Sequence, residues 1–442
     1  MVYEIIIGRS AKDRERFGLK GTILLGKHYV KMGQITSLSN EIYLDVNTSH
    51  VVFICGKRGS GKSYTLGVIA EGAANLPKET AENVCMIMLD TMGVYWTMKY
   101  PNLKDAELLK QWGLEGKGLD VVIYTPTKYY KEYKEKGIPT DHPFAILPSQ
   151  LAPVQWHMAF EMDPNSPAGI LIERVVLHLL KEKSNFSIDE IIKAVQKDEK
   201  SEKHAKDLVE NQFLRAKDWG VFSTKATPIE EISKGGRTVV IDLSCYATTP
   251  GTWGIKNLVV GVLAQQLFID RMVARKAEEY GAIKTTTHYF VEEEKKIKKR
   301  EMPLVWLVID EAHEFLPREG KTAASDALIT ILREGRQPGI SLILATQQPG
   351  KIHTDVMTQS DTVIAHRLTA KMDVEALGLL MQSYMRKGLT AELDVLPRVK
   401  GAGIVFDDQN EKMYPMRVRP RFTWHGGESP TAIREIKREF KL

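Results

Sequence analysis

Residues 50–63 read HVVFICGKRGSGKS. After His50 comes a short apolar run rich in β-branched side chains, which predicts a buried strand. The next eight residues, Gly56-Lys57-Arg58-Gly59-Ser60-Gly61-Lys62-Ser63, match G-x-x-x-x-G-K-[ST]. From Ser63 to Ala73 the pattern becomes helical. A strand, a glycine-rich turn and a helix in that order suit a phosphate: the glycines let backbone N–H groups face an anion, and the helix N-terminus adds a favourable dipole. Lys62 is expected to reach the β- and γ-phosphates of ATP, and the Ser63 hydroxyl to ligate Mg²⁺. Gly56, Lys57, Arg58, Gly59, Ser60, Gly61, Lys62, Ser63 and Tyr64 are the candidate ATP-binding residues.

Further apolar runs repeat the strand signal: VCMIMLD (84–90), DVVIYTP (120–126), TVVIDL (238–243), LVWLVID (304–310), SLILAT (341–346) and TVIAHRL (362–368). Alternating with helical stretches, they predict an α/β fold with a parallel sheet. Residues 150–232 break the rhythm with apolar positions at helical spacing, and Ser187 with Glu190 forms a capping-box signature. That stretch is expected to be a helical insertion. Before the first core strand, EIIIG, GTILLG and EIYLDV predict a small β element. A long helix is expected from Trp253 to about Glu279. Residues 281–302 read as a loop or hairpin with a charged tip, its basic run at 295–300 a solvated segment sooner than a nucleic-acid contact. GAGIVF (401–406) and MYPMRV (413–418) predict a hairpin.

The run at 304–316, LVWLVIDEAHEFL, ends in paired carboxylates. Asp310, leaving an apolar strand, has the place of a carboxylate that holds the Mg²⁺ shell. Glu311 beside it has the place of the group that polarises the attacking water. His313 either couples this site to substrate or makes a structural hydrogen bond. Gln347, ending the next strand, offers an amide to sense the γ-phosphate. Arg333 and Arg336, in LREGRQPGI, are candidates for a finger into a neighbour's site, Arg336 being favoured, or else make local salt bridges.

The 61 Lys plus Arg against 56 Asp plus Glu give a net charge of +5, which permits a nucleic-acid partner without arguing for one. The three cysteines, Cys55, Cys85 and Cys245, form no CxxC pair and predict buried reduced thiols. MVYEIIIGRS lacks signal-peptide character, and the longest apolar run, Leu258 to Ile269, is too short to span a bilayer. A soluble cytoplasmic protein is expected.

Asp310-Glu311-Ala312-His313 is the tetrapeptide that names a class of RNA helicases. Such a helicase needs a second RecA-like domain, and residues 312–442 hold only the remaining strands and a tail. The segments VVFICGKRGSGKSYTLGVIAE, IMLDTMGVYW, WLVIDEAHEFLP, ALITILREGRQPGISLILATQQP and RPRFTWHGG occur in the order seen in HerA-type ATPases. The sequence resembles that family from about residue 20 to 430. The family belongs with FtsK in one superfamily of ring-forming DNA pumps.

The resemblance implies a RecA-like P-loop ATPase core assembled as a homo-hexamer, with ATP and Mg²⁺ bound between subunits. Lys62, Ser63, Asp310, Glu311 and Gln347 would serve their own site, and Arg336 or Arg333 the adjacent one. It implies a ring-shaped translocase or helicase threading double-stranded DNA, in end processing or repair with a nuclease partner. A superfamily ATPase for secretion or remodelling, or a nucleotide-dependent switch or scaffold, is the alternative. On this reading residues 1–49 form a reduced barrel, 50–149 and 233–420 the two parts of the core, 150–232 the inserted helical bundle and 421–442 a tail. The loops bearing Arg318, Lys321 and Lys351 would face DNA, with TTPGTWG (248–254) a weaker candidate. The sequence departs from the family in the shortness of its N-terminal element. It also departs at Gly93-Val94, where the family has Gly-Glu.

Overall fold

The computed structural model describes residues 3–32, 35–247, 253–287, 302–368, 370–378, 392–393 and 396–427. Among these lie strands β1 (Ile5–Ile7), β2 (Thr22–Met32), β3 (Ile35–Asp45), β4 (Val51–Cys55), β5 (Val84–Asp90), β6 (Val121–Pro126), β7 (His142–Phe144), β8 (Thr238–Asp242), β9 (Leu304–Ile309), β10 (Ile340–Thr346), β11 (Thr362–His366), β12 (Ala402–Asp407) and β13 (Lys412–Val418). They form one sheet in the order β1-β3-β2-β13-β12-β11-β4-β10-β9-β5-β8-β6-β7. From β11 to β7 every neighbour is parallel.

The apolar runs form this sheet because both of its faces are buried. Alternate side chains of one strand enter opposite cores: Cys85, Ile87 and Leu89 face one, Val84, Met86 and Met88 the other. The first core takes in helices Pro153–Ala159, Pro167–Glu182, Ile188–Lys197 and Lys203–Asp218, which follow β7 and centre on the fully buried Trp156. Ser187 and Glu190 close their capping box, with backbone-to-side-chain bonds of 2.9 and 3.2 Å. The second core covers helix Lys62–Ala74. β4 lies between β11 and β10, and in parallel sheets of this kind ligands bind beyond the carboxyl ends of the strands near such a change of direction. All three cysteines are buried free thiols, as their setting predicts.

Helix Trp253–Thr287 runs further than the sequence suggests. Residues 281–287, read as loop, continue it; Gly281 stands in open space, where its weak helix propensity is tolerated. Residues 288–301, with the basic run at 295–300, lie outside the described residues, as do 248–252 of TTPGTWG. Over Gly254–Lys284 the helix is long and apolar enough to cross a membrane by length and composition, contrary to the expectation from its apolar run. Yet 56% of its most apolar window is buried, with Ile255, Leu258, Val259 and Leu267 in the first core.

The described part of residues 1–49 contributes β1, β2 and β3 to the same sheet, with helix Ala11–Phe17 between β1 and β2. β2 joins it through β13, with Gly26 opposite Val418. A Cβ at Gly26 would stand 2.2 Å from the Arg417 carbonyl, so this crossing requires glycine. The ends curl toward each other: Gly8 N–H donates to Asp407 at 3.2 Å, and Asn410 to the Arg9 carbonyl at 3.3 Å.

His50, just before β4, is buried between two carboxylates: Nε2 lies 3.1 Å from Asp45 and Nδ1 3.0 Å from Asp361. Asp45 also receives the Arg9 guanidinium and the Thr48 hydroxyl. Burial disfavours the imidazolium, but the bonds to Asp361 and Asp45 outweigh it and push the pKa up to about 9. A pKa raised on folding stabilises fully below the unfolded value of ~6.5 and loses that stabilisation as pH climbs through the folded value. Thermal melts should therefore show stability falling between pH 6.5 and 10, by on the order of 3 kcal/mol from this group. His50→Gln should flatten that window; an unchanged slope in the variant would reject the assignment.

Candidate nucleotide site

The chain leaves β4 into a loop whose shape depends on glycine. Gly59 (φ 76°) and Gly61 (φ 118°) adopt left-handed backbone. A Cβ at Gly56 would stand 2.5 Å from Ser60 Oγ and 2.7 Å from His366 Cβ. The loop is closed by Ser60 N–H to the Lys57 carbonyl at 3.1 Å and tied to β11 by Lys57 N–H to the Arg367 carbonyl at 3.1 Å. No side chain caps helix Lys62–Ala74, so its first N–H groups are left for an anion. Lys62 is buried, its ammonium held by the Lys57 carbonyl at 3.4 Å.

Two strands away across the sheet, β9 delivers Asp310. Ser63 donates its hydroxyl to Asp310 Oδ2 at 2.6 Å, and the Tyr95 phenol donates to the same oxygen at 3.1 Å. Glu311 follows in a left-handed conformation at φ 51°, which a non-glycine residue adopts at a cost of roughly 1–3 kcal/mol. Among the described residues its buried Oε2 has no hydrogen-bond partner; His313 Nδ1 lies 3.6 Å away, too far to bond. Burial first, then the Asp310 charge, pushes the Glu311 pKa up to about 7, with Lys62 pulling the other way. The backbone N–H of Gln347 also favours the carboxylate. The hydroxyl and carboxylate of Ser63 and Asp310 are hard oxygen donors at one spot, a set that fits Mg²⁺. When bound there, Mg²⁺ would neutralise charge on the β- and γ-phosphates.

The sequence matches the family described as "Helicase HerA, central domain" over residues 30–267. This chain belongs to that family. The DNA double-strand break repair helicase HerA of Pyrococcus furiosus is 25% identical over 375 residues, covering 79% of this chain and 63% of that protein. A probable DNA double-strand break repair helicase HerA of Methanocaldococcus jannaschii is 30% identical over 122 residues, 26% of this chain and 24% of that protein. The matches thus span less than two thirds of either relative. VirB4 of Thermoanaerobacter pseudethanolicus shares the fold, with a TM-score of 0.53 at 14% identity over 90% of this chain and 96% of that one.

Within this HerA-family site, Val94 after Gly93 supplies no carboxylate. Asp90 instead organises the turn. Its Oδ1 accepts the N–H groups of Met92, Gly93 and Val94 at 3.2, 2.7 and 3.1 Å, and its Oδ2 that of Tyr95 at 2.8 Å. Burial, then the charge of Asp242, raises the Asp90 pKa to about 7. The turn aims Tyr95 at Asp310. Sequence reasoning missed Tyr95; the available signal was an aspartate ending a strand three residues before a glycine, which predicts a side-chain-closed turn.

The back of the loop's helix is bound by the segment after β13. Glu71, with no exposed surface, accepts from Arg419 at 2.7 Å, Arg421 at 3.2 Å and the Thr423 backbone at 3.0 Å. Tyr64, a candidate nucleotide contact, accepts the Arg421 N–H at 2.6 Å. His366 is buried and its pKa falls to about 4, chiefly by burial, so its neutral ring donates from Nδ1 to the Ala402 carbonyl and accepts from Thr65. His313 joins the Glu311 turn to the end of β10, through Thr346 at 3.0 Å and Gln348 at 3.3 Å.

The structure does not bring the two arginines to this site. Both precede β10, at the opposite end of a seven-residue strand from Thr346. At ~3.3 Å per residue that is about 20 Å. Arg333 is engaged by Asp355 at 2.6 Å. Arg336 is exposed, with no hydrogen bond or ion pair among the described residues. Of the candidate DNA contacts, Arg318 lies in the loop after β9, its N–H bonded to the Lys351 carbonyl at 2.8 Å, so the two pore-loop candidates run side by side. Lys321 is exposed and pairs with Asp326 at 2.8 Å.

Proposed function

We propose that this chain is an ATP hydrolase that drives movement along double-stranded DNA as a ring of identical subunits, with Mg·ATP bound between neighbours. The observation that carries the reading is the buried, unpartnered Glu311 oxygen beside the Ser63–Asp310 contact, in a loop whose helix terminus has no cap of its own. Lys62 and the loop N–H groups would hold the β- and γ-phosphates. Glu311, its proton affinity raised by burial, would orient a water and draw off its proton as that water attacks the γ-phosphate. Tyr95 holds Asp310 in place. Gln347 fits a sensing role at the γ-phosphate.

The HerA membership and the names of the relatives, DNA double-strand break repair helicases, support DNA as the substrate and repair as the setting; a nuclease partner and a cytoplasmic location belong to the same proposal. Arg318 and Lys351, on adjoining loops, and Lys321 would meet DNA phosphates.

The test is ATP hydrolysis with and without linear double-stranded DNA. Stimulation of several-fold is expected, fading as salt rises because phosphate contacts release counterions. Brisk hydrolysis indifferent to DNA at every salt concentration would reject DNA as the substrate and turn the search to a protein cargo.

A further inference from the structure

Arg271 lies within helix Trp253–Thr287 and has no exposed surface. A guanidinium keeps its charge and its five donors, so burying one is costly unless fixed acceptors surround it. Here the acceptors bind one turn to its surroundings. Nε and Nη2 both donate to the Pro338 carbonyl, at 2.9 and 2.6 Å. Nη1 donates to the Met302 carbonyl at 2.8 Å and pairs with Glu278 at 3.2 Å.

Pro338 belongs to the turn 335–339 that leads into β10 and carries Arg336. The turn is also pinned from within: Gly339 N–H and Ile340 N–H both reach the Gly335 carbonyl, at 3.1 and 2.8 Å. Gly339 has φ 93°, and a Cβ there would stand 2.5 Å from Leu304 Cδ2. The support beneath is itself fixed, because Lys256, nearer the start of the same helix, is buried and pairs with Glu314 at 3.2 Å. So the backbone under Arg336 is held by a buried charge, while the Arg336 side chain projects without a partner among the described residues.

We propose that Arg271 is a positioning residue for Arg336: it fixes the turn at the angle from which Arg336 reaches the nucleotide of the adjacent subunit. This rests on the reading that Arg336 acts between subunits, and the experiment separates the two. Arg271→Lys keeps the charge but loses the planar fork that grips one carbonyl twice. Steady-state hydrolysis by the full chain is measured for Arg271→Lys, Arg336→Ala and the double variant.

Arg271→Lys should lower kcat by about tenfold or more with KM for ATP within about twofold, and should cause no further loss in the Arg336→Ala background, because residues acting as one unit are not additive. Wild-type kcat in Arg271→Lys, or losses that multiply in the double variant, would overturn the positioning role while leaving the Arg336 reading intact. Full activity in Arg336→Ala would overturn both. If Arg271→Lys does not fold, Gly339→Ala distorts the same turn from the other side. It should reproduce the kcat loss and its non-additivity, and wild-type kcat there would equally reject the proposal.

Discussion

Glu311→Gln should bind ATP about as tightly as the parent chain and hydrolyse it roughly 10²–10⁴-fold more slowly. The substitution keeps the shape and the polar amide but removes the base. The phosphate loop, Lys62, Ser63 and Asp310 are untouched, so the ground-state complex survives. Nucleotide binding measured by fluorescent-analogue displacement, beside single-turnover hydrolysis, separates the two effects. Wild-type turnover would remove Glu311 from the water-activating role; lost binding would make it part of the cradle. A pH series adds an independent check. With its pKa raised to about 7, Glu311 is increasingly the competent carboxylate as pH rises through neutrality. The parent's kcat/KM should climb from pH 6 to 8, and the residual activity of Glu311→Gln should lack that limb.

Arg336→Ala should leave ATP affinity nearly unchanged and slow hydrolysis by roughly 10³-fold, at the lower end of what arginine fingers contribute. The Arg336 side chain stands at the far end of β10 from its own phosphate loop, exposed and unpaired among the described residues, so an effect on hydrolysis is expected to be exerted on another copy. Mixing decides the matter. A Lys62→Ala subunit cannot use its own site but still carries Arg336. Beside an Arg336→Ala neighbour it completes that neighbour's intact phosphate loop. Partial recovery of hydrolysis in the mixture, absent from either variant alone, is the expected result. No recovery at any ratio would reject a shared site. Arg333, held by Asp355, should tolerate alanine with a much smaller kinetic effect.

The phosphate loop and the Asp310–Glu311 pair were legible because each is written in a few consecutive residues: an apolar strand, then the polar groups at its exit. The α/β character was legible for the same reason, through strands whose residues are apolar on both faces. What escaped depends on pairs far apart in the chain. Glu71 reads as one charged residue of a helix, and only the arrival of Arg419 and Arg421 makes it a buried anchor. Tyr95 carries no signal of its own in the sequence; its role comes from the Asp90 turn that points it at Asp310 at the exit of the neighbouring β9. Val94 reads as a loss, and the sequence offers no hint that a phenol donates to Asp310 from the adjacent position. Residues 281–287 continue the helix although 281–302 reads as a loop or hairpin, because an exposed glycine such as Gly281 in a long, otherwise anchored helix lowers stability without ending it. Arg271, charged and amid an apolar stretch, gave no sign that it reaches under the turn at 335–339.

The pairing of β2 with β13 sets a timetable for biosynthesis. β1, β2 and β3 leave the ribosome first, yet the strand that ties them to the rest of the sheet, Lys412–Val418, is translated several hundred residues later. At ~5–20 residues per second the interval is on the order of tens of seconds. Throughout it, one edge of β2 has no strand beside it, and Glu71 waits for the arginines that will neutralise it. Until then the nascent chain carries a finished phosphate-loop sequence that lacks its support, so nucleotide capture should follow the emergence of β13 and the arginines after it. A truncation before β13 would strand the chain in that immature condition, an obvious client for chaperones and proteases.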